Sequence, residues 1–155
     1  MTRQDVIDIL KNGNLELPNM DFTSMDLSEM DLSHVNFTGA NFAKSNLIGA
    51  DLRGSNLTRA NLSDTRLSWI NATGTDFTKA ILIGAKLTNA RLQSADFTDA
   101  DLTYADLSYA HLESTKFINA NLSSATLRLV DIAHTSITGA NLTDTNIIYK
   151  LFSYE

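Results

Sequence analysis

Residue types that commonly perform catalysis or bind metals are sparse in this sequence. It has three histidines, His34, His111 and His134, and no cysteine, so disulfides and thiolate metal sites are excluded. Serine and threonine are abundant, yet the sequence has no G-x-S-x-G element, glycine-rich phosphate loop or calcium-binding repeat. We therefore expect a protein that is not an enzyme and that carries no metal or cofactor.

The composition is that of a globular protein with a single domain. The 155 residues are 43% hydrophobic and 19% charged, with a net charge of −6. This acidic balance argues against direct binding of nucleic acid, because phosphates require a basic surface. The segment MTRQDVIDIL lacks the apolar core of a signal peptide, and no apolar run is long enough to span a membrane. We expect a cytoplasmic protein without membrane contact.

A repeat of five residues organises the chain. Every fifth residue from Leu17 to Phe152 is Leu, Phe or Ile, except Ala72. The residue two places earlier is usually small, and an extended backbone points both side chains to the same side. Six of the seven glycines follow the large residue by two places, where a corner with positive φ favours glycine. The period therefore predicts short extended segments joined by turns.

Ala72 marks the one interruption of this repeat. In the block INATG, Ile70 occupies the position that is usually small, while Ala72 occupies the position that is usually large. The large side chain thus stands two residues earlier than usual, on the same inward side. Substitutions that keep the total volume of the core are tolerated best. We interpret the interruption as a packing exchange in the core.

Blocks such as ANLSD, ADFTD and ANLTD resemble the repeat of pentapeptide repeat proteins, A-(D/N)-(L/F)-(S/T)-X, over residues 15–154. The resemblance implies an all-β solenoid, a right-handed quadrilateral β-helix of about seven coils of 20 residues. Stacked strands at 4.8 Å would give a rod roughly 34 Å long. His34 and His134 would then lie about 24 Å apart and could not share a metal. A small-residue column supports the coil length: Ala40, Ala60, Ala80, Ala100, Ala120 and Ala140.

An N-terminal helix is predicted to cover the first coil. Thr2 and Asp5 have the spacing of a capping box, and Gly13 is a stop signal. These signals predict an α-helix over residues 3–12, with an apolar face from Val6 to Leu10. We assign residues 1–14 to this capping helix and its connection, and residues 15–155 to the β-helix of the same domain. Large residues at normally small positions would fill space beneath the helix: Met20, Met25, Met30 and Val35.

The C-terminal segment NIIYKLFSYE is apolar and shows no helix signal. Either this end folds over itself or it pairs with a second copy. The expected states are therefore a monomer or an end-to-end homodimer through the C-terminal end.

One outward corner column is unusually aromatic. Positions 20 apart read Glu29, Gly49, Trp69, Asn89, Tyr109, Leu129 and Tyr149, and Tyr104 lies one corner away. Exposed aromatic residues are typical anchors of protein interfaces. The candidate protein-interaction surface is therefore Trp69, Tyr104, Tyr109, Leu129 and Tyr149. The alternative is a ladder of side chains that stabilises the stack.

Two functions follow from these features. The first is a non-enzymatic protein-interaction or scaffold module with an unidentified protein partner. The second is implied by the resemblance, because some family members mimic DNA and bind DNA gyrase or topoisomerase IV, which affects quinolone susceptibility. A 34 Å DNA mimic would replace roughly 20 phosphates. The net charge is only −6, and a basic belt that includes Arg59, Lys79 and Arg91 divides the acidic surface. Because this charge is far below that of the DNA it would replace, the first function is favoured.

Overall fold

The structure, a computed structural model, describes residues 1–132 and 134–149. Helix α1 spans Arg3–Lys11, and strands β1 (Thr126–Val130) and β2 (Asn146–Tyr149) pair in parallel. The preceding coils are joined by single parallel bridges between residues 20 apart, from Glu16↔Asn36 onward. Each coil of the stack therefore takes 20 residues. In the described part of the chain, no helix has the length and apolarity that crossing a membrane requires.

The block Asn41–Ser45 shows how five residues satisfy their backbone donors. Asn41 N donates to Met20 O in the preceding coil, while Phe42 N and Lys44 N donate to the following coil. Ala43 N donates to the Asn41 side chain at 3.2 Å, and Ser45 N donates to Phe42 O across the corner at 2.9 Å. The frequent Asp or Asn before the large residue thus accepts the one amide that the stack leaves without a backbone partner.

The described residues contain only two regular strands, although the repeat predicts a short extended segment in every block. Each side carries one bridged residue, because the chain turns again within five residues and cannot continue the ladder. The corner residues have φ of 54–64° where they are not glycine, and 61–72° where they are glycine. With hydrogen bonds such as Ala40 N to Phe37 O, the corners have the pattern of type II turns.

The interior is a continuous column of large side chains. Phe77, Phe97 and Phe117 stack with ring centroids 4.6 Å and 5.1 Å apart. Ile70 and Ala72 are both fully buried, as a packing exchange requires. Four of the five buried hydroxyls at the small positions donate to the preceding coil, as in Thr75 Oγ1 to Leu52 O at 2.6 Å.

The N-terminal helix is capped by its own residues and is fixed to the first coil through its apolar face and one arginine. Thr2 accepts from Asp5 N, and the Asp5 side chain accepts from Thr2 N, which completes the capping box. Val6 is buried in the core. Arg3 donates to Asp26 O at 3.1 Å and to Ser28 O at 2.7 Å.

The 20-residue register changes in the last described coil. Arg128 pairs with Ile148, but Val130 pairs with Tyr149. Tyr149 therefore lies across from Val130 and does not continue the column below Leu129, which corrects its placement from the repeat. The irregular pairing shortens this side by one residue. Residues 150–155 of the apolar C-terminal segment lie outside the described residues.

Candidate protein-interaction surface

The corner positions impose a backbone requirement that selects against bulky apolar residues. Positive φ suits glycine and, among other residues, Asn and Asp, whereas bulky side chains there are uncommon. Most of the 20 non-glycine residues with positive φ are polar or charged. Four are not: Trp69, Tyr104, Tyr109 and Leu129.

These four residues are also poorly explained by packing. Their exposed fractions are 65% for Trp69, 67% for Tyr104, 50% for Tyr109 and 38% for Leu129. Neither the local backbone nor the core therefore requires their type. They coincide with four of the five residues singled out from the sequence, and the side chain of the fifth, Tyr149, lies outside the described atoms.

The stack brings three of the four together. Trp69, Tyr109 and Leu129 share one corner, because they are separated by multiples of 20 residues. Tyr109 and Leu129 are one coil apart, about 5 Å, and Trp69 is about 10 Å beyond Tyr109. Asn89 stands between Trp69 and Tyr109 and leaves a notch. Tyr104 lies on the neighbouring corner and belongs to a different edge of the rod.

Two clefts lie along the shared corner and form one groove. The Trp69 cleft, about 390 Å³, is lined by Gly49, Asp51, Trp69, Asn71, Asn89, Arg91 and His111. The Tyr109 cleft, about 590 Å³, is lined by Asn89, Tyr109, Ala110, His111, Glu113, Leu129 and Asp131. Asn89 and His111 belong to both clefts, so the groove is continuous. Its wall is aromatic and its floor is polar.

The Trp69 cleft presents a cation. Asp51 is paired with Arg53, whose Nη2 lies 2.6 Å from Asp51 Oδ2. The hydrogen bond from the Arg53 side chain lowers the pKa of Asp51 below its ordinary value, so this carboxylate is ionised and already partnered. Arg91 differs, because its guanidinium makes no hydrogen bond or ion pair with any residue that the structure describes.

The Tyr109 cleft presents carboxylates. Glu113 and Asp131 both line it. The Glu113 Oε2 atom is shielded from solvent and has no hydrogen-bond partner among residues 1–132 and 134–149. A buried carboxylate oxygen without a partner is costly, and a ligand that donates to it would remove that cost.

The histidines do not form a site. His34, His111 and His134 are all exposed, and the described residues contain no group of three or more His, Asp or Glu side chains that could hold a metal ion. The arrangement suits binding of a protein segment by an aromatic wall and a charged floor.

Sequence reasoning missed the groove floor. The sequence places Arg91 in the basic belt and assigns no role to His111. Both occupy the position before the large residue, where the repeat usually has Asp or Asn. That departure from the repeat, next to the aromatic column, is the signal that could have identified the floor.

Several solved structures share this fold. The pentapeptide repeat protein Rfr23 from the cyanobacterium Cyanothece 51142 is 23% identical, with a TM-score of 0.67 over 95% of this chain and 99% of that one. QnrB1, a plasmid-mediated fluoroquinolone resistance protein, is 18% identical in its trypsin-treated form, with a TM-score of 0.69 over 90% of this chain and 73% of that one.

A third neighbour is HetL from Nostoc sp. strain PCC 7120, a pentapeptide repeat protein involved in heterocyst differentiation regulation. It is 23% identical and covers 94% of each chain, with a TM-score of 0.39. No curated protein matches significantly. Rfr23 and QnrB1 confirm the expected solenoid.

The sequence itself also matches a family profile. The profile described as "Pentapeptide repeat region" covers residues 40–117, half of the chain. These residues include the coils that carry Trp69, Arg91, Tyr109 and Glu113. The chain belongs to the pentapeptide repeat family.

Proposed function

We propose that this protein is a non-enzymatic interaction module in the cytoplasm that binds a protein partner through the groove along Trp69, Tyr109 and Leu129. The observation that carries the proposal is the placement of bulky, exposed side chains at corners whose positive φ disfavours them. Aromatic anchors beside charged groups are the usual composition of energetically dominant interface positions.

The solenoid suits this role because its own side chains form a continuous buried core. Burial of each Leu or Phe contributes about 1.5–3 kcal/mol. A rigid surface loses little conformational entropy on binding, so the groove can bind a segment without reorganising.

Affinity capture with a double variant tests the proposal. Trp69→Asn with Tyr109→Asn places at both corners the residue that already occupies position 89. We expect partner proteins captured by the wild type to be lost with this variant. The matched control is Ile81→Asn with Ile83→Thr, which removes an exposed apolar pair half a coil away, on the opposite face.

The control restores residue types that are common at these repeat positions and should retain the partners. Equal capture by the wild type and the Trp69/Tyr109 variant would contradict the proposal. Loss with the control alone would assign binding to the Ile81 face instead.

DNA mimicry remains the alternative function, and a supercoiling assay separates it from a partner that binds the groove. The groove holds Arg91 near its centre, and a cation at that place opposes a continuous imitation of phosphates. We expect no inhibition of gyrase supercoiling. Inhibition that survives the Trp69/Tyr109 double variant would favour the mimic.

A further inference from the structure

We propose that the Tyr109 cleft holds an arginine side chain presented by the partner protein. This inference rests on the function proposed above and adds the chemistry of the partner. It depends on one unpaired carboxylate, one exposed aromatic ring and the uneven distribution of charge along the groove.

The unpaired carboxylate is Glu113. Its Oε2 atom is buried and has no partner among the described residues, although the side chain lines a cleft that is open to solvent. A guanidinium offers several N–H donors in a planar fork and stays charged at every relevant pH. It therefore supplies both the donor and the positive charge that this oxygen lacks. Asp131 adds a second carboxylate to the same lining.

The walls of the cleft suit the remainder of an arginine side chain. Tyr109 is half exposed and offers a ring face on which a guanidinium can stack. Leu129, one coil along the corner, offers apolar surface for the three methylene groups of the stem. A neutral amide or hydroxyl could donate to the Glu113 oxygen but would leave its charge without a counterion, and an ionised acidic side chain would supply neither a donor nor a positive charge.

Charge selects which half of the groove the cation occupies. Arg91 has no ion-pair partner in the described part of the chain, so the Trp69 cleft repels a second cation. Among the described lining residues, Asp51 is the one carboxylate of that cleft, and it is already bonded to Arg53. The Tyr109 cleft, in contrast, holds Glu113, whose Oε2 atom has no hydrogen-bond partner in the described part of the chain. A partner arginine is therefore directed toward the C-terminal half of the groove.

An NMR titration with a short peptide tests the inference. The probe is acetyl-Gly-Ala-Arg-Ala-Gly-amide at low ionic strength, and the control probe replaces Arg with Gln. We expect the arginine peptide to shift the backbone amides of Tyr109, His111 and Glu113. Glu113→Gln should weaken its binding by at least roughly fivefold, because a charge-assisted hydrogen bond is lost. Arg91→Gln is the matched control, and it should leave the affinity equal or tighter.

Three results would overturn the inference: equal shifts with the glutamine peptide, equal affinity of Glu113→Gln and the wild type, or weaker binding by Arg91→Gln. Thermal unfolding gives a further readout without any ligand. If the Glu113 carboxylate lacks a partner within the fold, Glu113→Gln should melt at or above the wild-type temperature. A lower melting temperature would show that the carboxylate is already satisfied, which also contradicts the inference.

Affinity capture separates this inference from the proposed function. Partner loss with both Trp69→Asn/Tyr109→Asn and Glu113→Gln supports the arginine and the groove together. Partner loss with the aromatic variant but full retention with Glu113→Gln rejects the arginine and leaves the groove. Retention with both variants rejects both proposals.

Discussion

The two ends of the stack place similar apolar layers in different surroundings. At the N-terminal end, Leu17, Phe22 and Leu27 are buried, and α1 packs on this coil through Val6. At the C-terminal end, Ile137 is 45% exposed, and no element within residues 1–132 and 134–149 covers it. The short amphipathic helix α1 therefore buries the apolar layer at the N-terminal end. The repeat by itself does not cover the end of the stack.

Truncation of one leucine at each end should give the largest difference in stability between the two ends. Leu27→Ala leaves a cavity in a closed layer and should cost about 2–5 kcal/mol of the free energy of unfolding. Leu142→Ala removes a half-buried side chain from the open layer and should cost about 1–2 kcal/mol. Urea unfolding of both variants measures the difference. Equal losses would show that the C-terminal layer is as well covered as the N-terminal one.

The central coils, which are covered on both sides, provide a reference for the stability effects at the two ends. Ala72→Leu adds bulk beside the buried Ile70, where neither end of the stack can open to admit it. We expect a loss of about 1–3 kcal/mol in the free energy of unfolding. The double change Ile70→Ala/Ala72→Leu restores the volume and should recover part of that loss. A stabilised Ala72→Leu variant would contradict the packing exchange.

The helix cap tests how firmly the N-terminal end is closed. Thr2→Ala removes the hydroxyl that accepts from Asp5 N and should cost about 1 kcal/mol. Because the helix is short, the loss should appear first as faster amide hydrogen exchange in α1. Exchange in the coils around Phe97 is the internal control and should not change. Unchanged exchange in α1 would show that the cap contributes nothing to closure.

Two buried serines at equivalent repeat positions should differ in their contribution to stability, and this is the smallest effect that we predict. Ser55 Oγ donates to Leu32 O at 2.8 Å, whereas Ser45 Oγ is buried and has no partner in the described residues. Ser55→Ala should cost about 1 kcal/mol, and Ser45→Ala should be neutral or slightly stabilising. Thermal unfolding compares the two variants directly. A larger loss for Ser45→Ala would refute this assignment of hydrogen bonds.

Much of the fold could be predicted from the sequence because one repeat determines core, corner and backbone hydrogen bonding together. The large residues from Leu17 onward pointed to the solenoid core, and the glycines pointed to the corners. The irregular register at Tyr149 could not be predicted, because it departs from the five-residue period of the rest of the chain. The groove floor was missed for a similar reason: Arg91 and Glu113 acquire their roles from neighbours 20 residues away, not from their own block.

Trp69, Tyr104, Tyr109 and Leu129 are exposed, as the repeat predicts. The sequence leaves an interface and a stabilising ladder as alternatives for their role. The structure adds a physical distinction between them, since a residue that serves only the fold would suit a corner with positive φ. Trp69 and Tyr109 do not. Asn89, between them on the same corner, does.

The free energy of unfolding of Trp69→Asn/Tyr109→Asn tests most directly whether these residues serve a partner instead of the fold. Asparagine relieves the corner backbone and removes only exposed surface, so we predict a value within about 1 kcal/mol of the wild type. A loss of about 2 kcal/mol or more would contradict the account, because it would show that the aromatic side chains form a ladder that stabilises the stack.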